Sequence, residues 1–445
     1  PFWLTLAEQP WIDPSTAAIA SGLISFQSMI TRSSQRATPS ICRVASCVRP
    51  VQLHAGWALR SDTRGVITPK QPLLFTPGPI ETSTYAKQAM LLDYGSRDKR
   101  FLDVVANVRT QLLHMAGTSK ELGHECVIMQ GSGTMGVESM LGSLVPRGGK
   151  VLVVANGAYG LRQRDILQTL GIDHEVVQFS DREPVDVQPV LERLKQAKSA
   201  SSPFTNVSIV HHETTTGVLN PLEHFIKAVK ADFPEVATFV DSMSGFGAYD
   251  VQMQWGIDCM VTSANKCLEG VPGFSILLCS TALLKQTGTS RSFALDLISQ
   301  WNLLESNGQF RHTPPTHAIL AFKNALKEWS EEGGAKGRSA RYKSNFDVVK
   351  KGMEALGFKF YVPEGTHRSI LICTFEVPKV KGFSFENFSN HLQKKGFIIY
   401  PGKSVEQETF RVGTIGRIFP FECAQLVHAA SASLKDMKLN VPLQG

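Results

Sequence analysis

Residues 237–247, ATFVDSMSGFG, and residues 259–266, CMVTSANK, follow one pattern: an apolar run that stops abruptly in polar residues, with Asp241 ending the first and Lys266 the second. The pattern recurs at 127–145 (VIMQGSGTMGVESMLGSLV), at 151–160 (VLVVANGAYG) and at 207–219 (VSIVHHETTTGVL), while 273–280 (GFSILLCS) is a further continuous apolar run. Between them lie stretches of helical texture, such as the polar helix expected from Leu161 to Leu170. Strands apolar on both faces and separated by helices predict an α/β fold with a mainly parallel sheet covered by helices on both sides. Ligands of such sheets collect beyond the carboxyl ends of the strands. Each polar cluster falls there.

Near Ser330 the texture changes. SEEGGAKGRSARY (330–342) reads as a helix interrupted by a flexible Gly-rich loop, and SILICTFEV (369–377), FIIYPG (397–402) and TFRVGTIG (409–416) read as strands set among helices. A large domain over 66–330 and a smaller C-terminal α/β domain over 331–445 are expected. At the front, residues 1–65 hold six Arg, no Lys and the acids Glu8, Asp13 and Asp62. From Met29, the natural initiator, to Gly65 the stretch is rich in Arg and Ser with Asp62 as its one acid, the composition of a mitochondrial transit peptide. Residues 1–65 are therefore set apart as a disordered, removable extension; without such targeting the protein would be cytoplasmic.

The 445 residues are 42% hydrophobic and 19% charged, which excludes a chain dominated by disorder, a collagen-like design or a coiled coil. No apolar run reaches the roughly 18–20 residues that would span a bilayer as a helix. Of the net charge of +7, the front segment carries +3 and the remaining 380 residues only +4. The rest shows no basic stripe with interleaved aromatics, so nucleic-acid binding is disfavoured. Cysteines at 42, 47, 126, 259, 267, 279, 373 and 423 are scattered without a C-x-x-C pair, and His211-His212 lacks further ligands at useful spacing. Reduced thiols and no zinc site are expected.

Three clusters carry the chemistry. Gly131-Ser132-Gly133-Thr134 lies between a strand and a helix, where free N–H groups and hydroxyls attract an anion. Asp241 ends an apolar strand, where a carboxylate is costly unless it meets a cation or several donors. Lys266 ends another, and desolvation there would free its amine to attack carbonyls. Taken singly, these are also a tight turn, a helix cap and a surface lysine. Together they meet the needs of pyridoxal 5′-phosphate: a cup for the phosphate, an acid for the pyridine nitrogen, and a Schiff-base amine that also shuttles protons. Tyr159, in the turn NGAYG (156–160), is placed to stack on the ring.

The chain from Leu73 to about Leu439 resembles the class V, fold-type I pyridoxal-phosphate aminotransferases. The segments that carry the resemblance, in order, are LLFTPGPIETS (73–83), DYGSRDKRF (93–101), QGSGTMGVE (130–138), NGAYG, HHETTTGVLNP (211–221), VDSMSGFG (240–247), TSANKCLEGVPGF (262–274), FRHTPPTH (310–317) and FRVGTIG (410–416). The resemblance implies that Lys266 carries the cofactor and Asp241 partners its ring nitrogen. Ser132, Gly133 and Thr134, helped by Asn265, would hold the phosphate; Thr214 and Thr215, which follow a strand end, are placed to bond the cofactor's 3′-oxygen, or else simply form the turn. It further implies a homodimer whose neighbouring subunit completes the cup through Thr313. Phe310 stands where relatives have Tyr, so one phosphate hydrogen bond is missing. Arg411 matches the arginine that clamps the substrate carboxylate, and Arg97 is a second cation for a doubly charged substrate.

Within the family the segments are most similar to the transaminases that pass the amine of 2-aminoethylphosphonate to pyruvate. The expected reaction therefore yields phosphonoacetaldehyde and L-alanine. The nearest alternative is an alanine– or serine–glyoxylate aminotransferase using the same site. A cysteine desulfurase would need a mobile-loop cysteine, which the Gly-rich loop at 333–338 lacks.

Overall fold

The computed structural model describes residues 71–285, 290–365, 367–404 and 407–444. The extension over 1–65, with the targeting expected of it, lies outside the described residues. The central sheet has seven strands: β1 (His124–Gln130), β2 (Lys150–Ala155), β3 (Asp173–Gln178), β4 (Asn206–Val210), β5 (Ala237–Asp241), β6 (Cys259–Ser263) and β7 (Phe274–Ser280). Their order is β1-β7-β6-β5-β4-β2-β3. Neighbours from β6 to β3 run parallel, and β7 runs antiparallel to both β6 and β1. Every residue of β4 and β6 is buried, as expected of strands covered on both faces.

The longer helices of this part are α1 (Lys99–Met115), α2 (Gly133–Leu144), α3 (Ala158–Thr169), α4 (Val187–Ser199) and α5 (Leu222–Asp232). In α1 the buried Phe101, Val104, Val105, Val108 and Leu112 recur at helical spacing, giving one apolar stripe that packs on β1. Helix α2 packs on β6 and β7, and α3 on β2 and β3. Register then fixes the functional edge. Val210 lies opposite Asp241, and Asp241 opposite Val261, so β4 and β5 end level while β6 runs on two residues further to Ser263. Gly131 N–H donates to the Gly273 carbonyl at 3.0 Å, which brings the end of β1 and the start of β7 to the same edge.

After the sheet come α6 (Leu297–Asn307), α7 (Thr316–Glu331), α8 (Gly334–Ala355), β8 (Ile372–Glu376), α9 (Phe385–Lys394), β9 (Tyr400–Pro401), β10 (Thr409–Gly413) and α10 (Pro420–Asp436). The three strands form an antiparallel sheet in the order β8-β10-β9. Its core is separate from that of the central sheet and strongly aromatic: the Phe358 ring lies 5.3 Å from Phe410 and 5.4 Å from Phe388. Along β10, Phe410 and Val412 enter this core. Strand alternation therefore sends Arg411 to the other face, where it meets Thr214.

The stretch 330–342 corrects the expectation of a flexible loop. The break between α7 and α8 is confined to a tight turn in which Gly333 and Gly334 adopt φ of 96° and 69°. From there the Gly-rich residues are helical. Fully buried Arg338 donates to Glu332 at 2.7 Å and to the Cys267 carbonyl at 2.6 Å, while Arg341 pairs with Glu269 at 2.7 Å. These bonds hold the first turns of α8 onto the loop that follows Lys266, and they outweigh the low helix propensity of glycine.

Candidate active site

A cavity of about 210 Å³ opens at the carboxyl ends of β4, β5 and β6. Lys266 reaches it from the turn after β6 and Asp241 from the end of β5; Asn265 is on the same wall. The Lys266 amine donates to the Pro77 carbonyl at 2.6 Å, so the segment before the first helix closes over it. Burial lowers the amine to about 8, because the ammonium has lost its water. The same cause raises the Asp241 carboxyl to about 6, although the Met243 N–H donates to its Oδ1 at 2.9 Å. An amine that is partly neutral near physiological pH thus shares a cavity with a carboxylate in want of a cation.

That shift gives a direct test. In cofactor-free protein, modification of Lys266 by an amine-directed carbonyl reagent should accelerate with rising pH through a midpoint of about 8, well below the 10.5 of an ordinary lysine. Peptide mapping of the labelled site against pH measures it, and a midpoint above 10 would contradict the buried setting.

Opposite the lysine, Ser132 begins α2 without a side-chain cap, which leaves its hydroxyl and the first N–H groups of the helix for a ligand. Gly133 lies close to Met243, and a Cβ there would have to displace the methionine's thioether end. Thr134 completes the turn, and its Oγ1 accepts from Arg162 Nη1 at 3.2 Å. Tyr159 lines the cavity with the Arg162 guanidinium 4.6 Å from its ring centroid. The two threonines divide. Thr214 lines the cavity, whereas the Thr215 hydroxyl donates to Glu213 at 2.7 Å.

Arg411 is 3% exposed and stands just behind that wall. Its Nη1 donates to the Thr214 carbonyl at 3.1 Å and its Nε to the Pro401 carbonyl at 3.0 Å. Burial lowers its pKa, while Tyr159 and Glu213 oppose the shift. Hydrogen bonds to carbonyls do not neutralise a guanidinium, which suits it to a substrate anion.

Thr313 and Arg97 are not brought into this cavity. Both line a separate surface depression with Phe310 and Arg311. The reason is local: Gln130, at the end of β1, donates to the His312 carbonyl at 2.7 Å and fixes that segment outside the cavity of its own chain.

Three residues of the site escape a reading of the sequence. Glu213 is fully buried; its carboxylate accepts from Tyr159 N–H at 3.1 Å and Gly160 N–H at 3.4 Å, and so ties Tyr159 to β4's exit loop. Burial pushes it up to about 7, and its donors hold it from rising further. Arg162 looks like an exposed helix residue from its polar surroundings. His212 lines the cavity with Nδ1 2.9 Å from Ser244 Oγ, while its buried Nε2 has no hydrogen-bond partner. Burial lowers it to about 3, so the ring is neutral. The one available signal was position: Glu213 and His212 follow an apolar strand, as Asp241 does.

The donor set fits a ligand with an anionic group, a basic ring nitrogen and a carbonyl: an uncapped helix start, a cation-seeking carboxylate and a softened amine around one small cavity. Comparisons with known proteins agree. The aminotransferase class-V family model matches residues 85–418. The 2-aminoethylphosphonate–pyruvate transaminase of Pseudomonas fluorescens (strain Pf0-1) is 40% identical over 370 residues, covering 83% of this chain and 98% of that protein. The protein of the same name from Rhizobium meliloti (strain 1021) is 41% identical over 372 residues, with coverages of 83% and 95%. Among solved structures, an alanine–glyoxylate aminotransferase from Nostoc sp. has a TM-score of 0.75 at 22% identity, covering 84% of this chain and 98% of that one. Pyridoxamine–pyruvate aminotransferase from Mesorhizobium loti has a TM-score of 0.75 at 21% identity, with coverages of 84% and 94%. At such identities the structural likeness is one of fold.

Proposed function

The chain belongs to the class-V aminotransferase family, and on that premise we propose that it transfers the amine of 2-aminoethylphosphonate to pyruvate, releasing phosphonoacetaldehyde and L-alanine. Its architecture is the fold-type I α/β fold. The cofactor is pyridoxal 5′-phosphate. One observation carries the reading: a chain 40% identical to such transaminases over nearly their whole length also gathers Lys266, Asp241 and the turn at 131–134 around one cavity.

Lys266 would hold the cofactor through its amine and Asp241 would face its ring nitrogen. Ser132, Gly133, Thr134 and Asn265 would receive the phosphate, with Tyr159 and Thr214 completing the wall. Bound there, the cofactor supplies an electron-poor ring that spreads the charge left when a carbon beside the amine loses its proton. The residues of the chain do the rest. Lys266 Nζ, softened to about 8, is basic enough to accept that proton and acidic enough to return it. Arg411 grips the substrate's anionic group and orients it, since a guanidinium keeps its charge in a crevice.

A homodimer belongs to the same proposal: Thr313 would complete the phosphate site of the neighbouring copy, and Arg97 would add a cation for the phosphonate. Mitochondrial delivery by the Arg- and Ser-rich segment after Met29 is likewise proposed, on composition.

The deciding experiment is a half-reaction screen on purified holoenzyme, following loss of the cofactor's visible band. 2-Aminoethylphosphonate should bleach it, and pyruvate restore it, with a specificity about 10²-fold or more above serine; alanine, the product of the pyruvate half, bleaches it by reversal and does not discriminate. Bleaching by alanine or serine with no response to the phosphonate would assign the site to glyoxylate-dependent transamination instead.

A further inference from the structure

We propose that Arg162 is the cation that receives the cofactor's phosphate. This rests on the assignment of the cavity to pyridoxal 5′-phosphate. A phosphate ester brings a charge of roughly −1.5 to −2 into the site. Of the described residues lining the cavity, Lys266 and Arg162 are the strong bases. The Lys266 amine lies at the Pro77 carbonyl and is committed to carbonyl and proton chemistry. Ser132 and Thr134 offer neutral hydroxyls, and a dianion held by neutral donors alone is poorly compensated once water is excluded.

Arg162 stands where that deficit falls. It lies on α3, yet its Nη1 is 3.2 Å from Thr134 Oγ1. Its guanidinium is held over the Tyr159 ring at 4.6 Å, a contact that fixes its plane while leaving in-plane N–H donors free. Arg164, two residues on, is paired with Asp165 at 2.7 Å, whereas among the described residues no carboxylate lies in ion-pair range of Arg162. A half-buried guanidinium on the wall of a cavity, bonded to a phosphate-site hydroxyl and outside ion-pair range of Asp241, the carboxyl whose pKa it lowers, is set up for an anion.

The test compares two ligands on cofactor-free protein: pyridoxal 5′-phosphate and pyridoxal, which lacks the phosphate. Binding is read from the visible band formed and from equilibrium dialysis, so it does not depend on turnover. Arg162→Gln should weaken pyridoxal 5′-phosphate by about 10–100-fold, the scale of a lost charge-assisted hydrogen bond, and leave pyridoxal within about 2-fold. Arg162→Lys, which keeps the charge, should recover part of the loss and guards against misfolding of the glutamine variant. Equal weakening of both ligands in Arg162→Lys and Arg162→Gln, or unchanged binding of the phosphorylated one, overturns the proposal. A wild-type protein that forms no band with pyridoxal 5′-phosphate would instead overturn the cofactor assignment, so the two failures are distinct.

Discussion

Lys266→Ala should reduce turnover by at least about 10⁴-fold, the upper range for removing a positioned acid–base group, with loss of a covalent attachment point added. It should also remove the visible band once free cofactor is dialysed away. The expectation follows from burial. An amine lowered to about 8 is the side chain on the wall able to attack a carbonyl near neutral pH, and no second lysine lines the cavity among the described residues. The fold should survive, since the change removes one hydrogen bond to the Pro77 carbonyl and relieves a buried charge. Lys266→Arg should fail as well, because a guanidinium keeps a cation there but never becomes a nucleophile. Substantial activity in Lys266→Ala after removal of free cofactor, with a native circular dichroism spectrum, would refute the assignment.

What was legible in the sequence had a one-dimensional cause. Asp241, Lys266 and the turn at 131–134 each follow an apolar strand directly, and parallel strands deliver such positions to one edge whatever their order. The antiparallel direction of β7 was hidden for the same reason: a strand buried on both faces carries no alternation that would reveal its sense. Partners distant in sequence were also hidden. Glu213 stands in a segment read for its threonines, yet its acceptors serve backbone N–H groups of Tyr159 and Gly160 on another element, and it takes the Thr215 hydroxyl away from the cavity. Arg162 sits in a polar helix that reads as solvated, and only packing of α3 beside α2 brings it to Thr134. At 333–338 glycine count suggested mobility, but Arg338 and Arg341 pair with Glu332 and with the buried Glu269, partners that no local pattern announces.

Asp241→Asn should separate catalysis from stability, moving them in opposite directions. The amide is isosteric and can keep the acceptor for Met243 N–H, so geometry is conserved while charge is lost. Facing a protonated ring nitrogen, the carboxylate would form a buried ion pair, and removing one partner of such a pair costs about 3–5 kcal/mol. If that cost is borne at the transition state, kcat/KM should fall by about 10²–10⁴-fold. The cofactor-free protein should respond in the other sense. Burial raises the folded-state pKa from 3.8 to about 6, so folding favours the neutral acid and the ionised form is a burden. The burden is absent below about pH 3, where both states are protonated, grows as pH rises to about 6, and is constant above, amounting to about 3 kcal/mol. Cofactor-free Asp241→Asn should therefore be more stable than wild type to urea at pH 7.5, with the difference vanishing as pH falls to about 3. A variant that loses stability at pH 7.5 along with activity would show that the carboxylate is a structural element of the β5 loop, and the electrostatic role argued for it would fall.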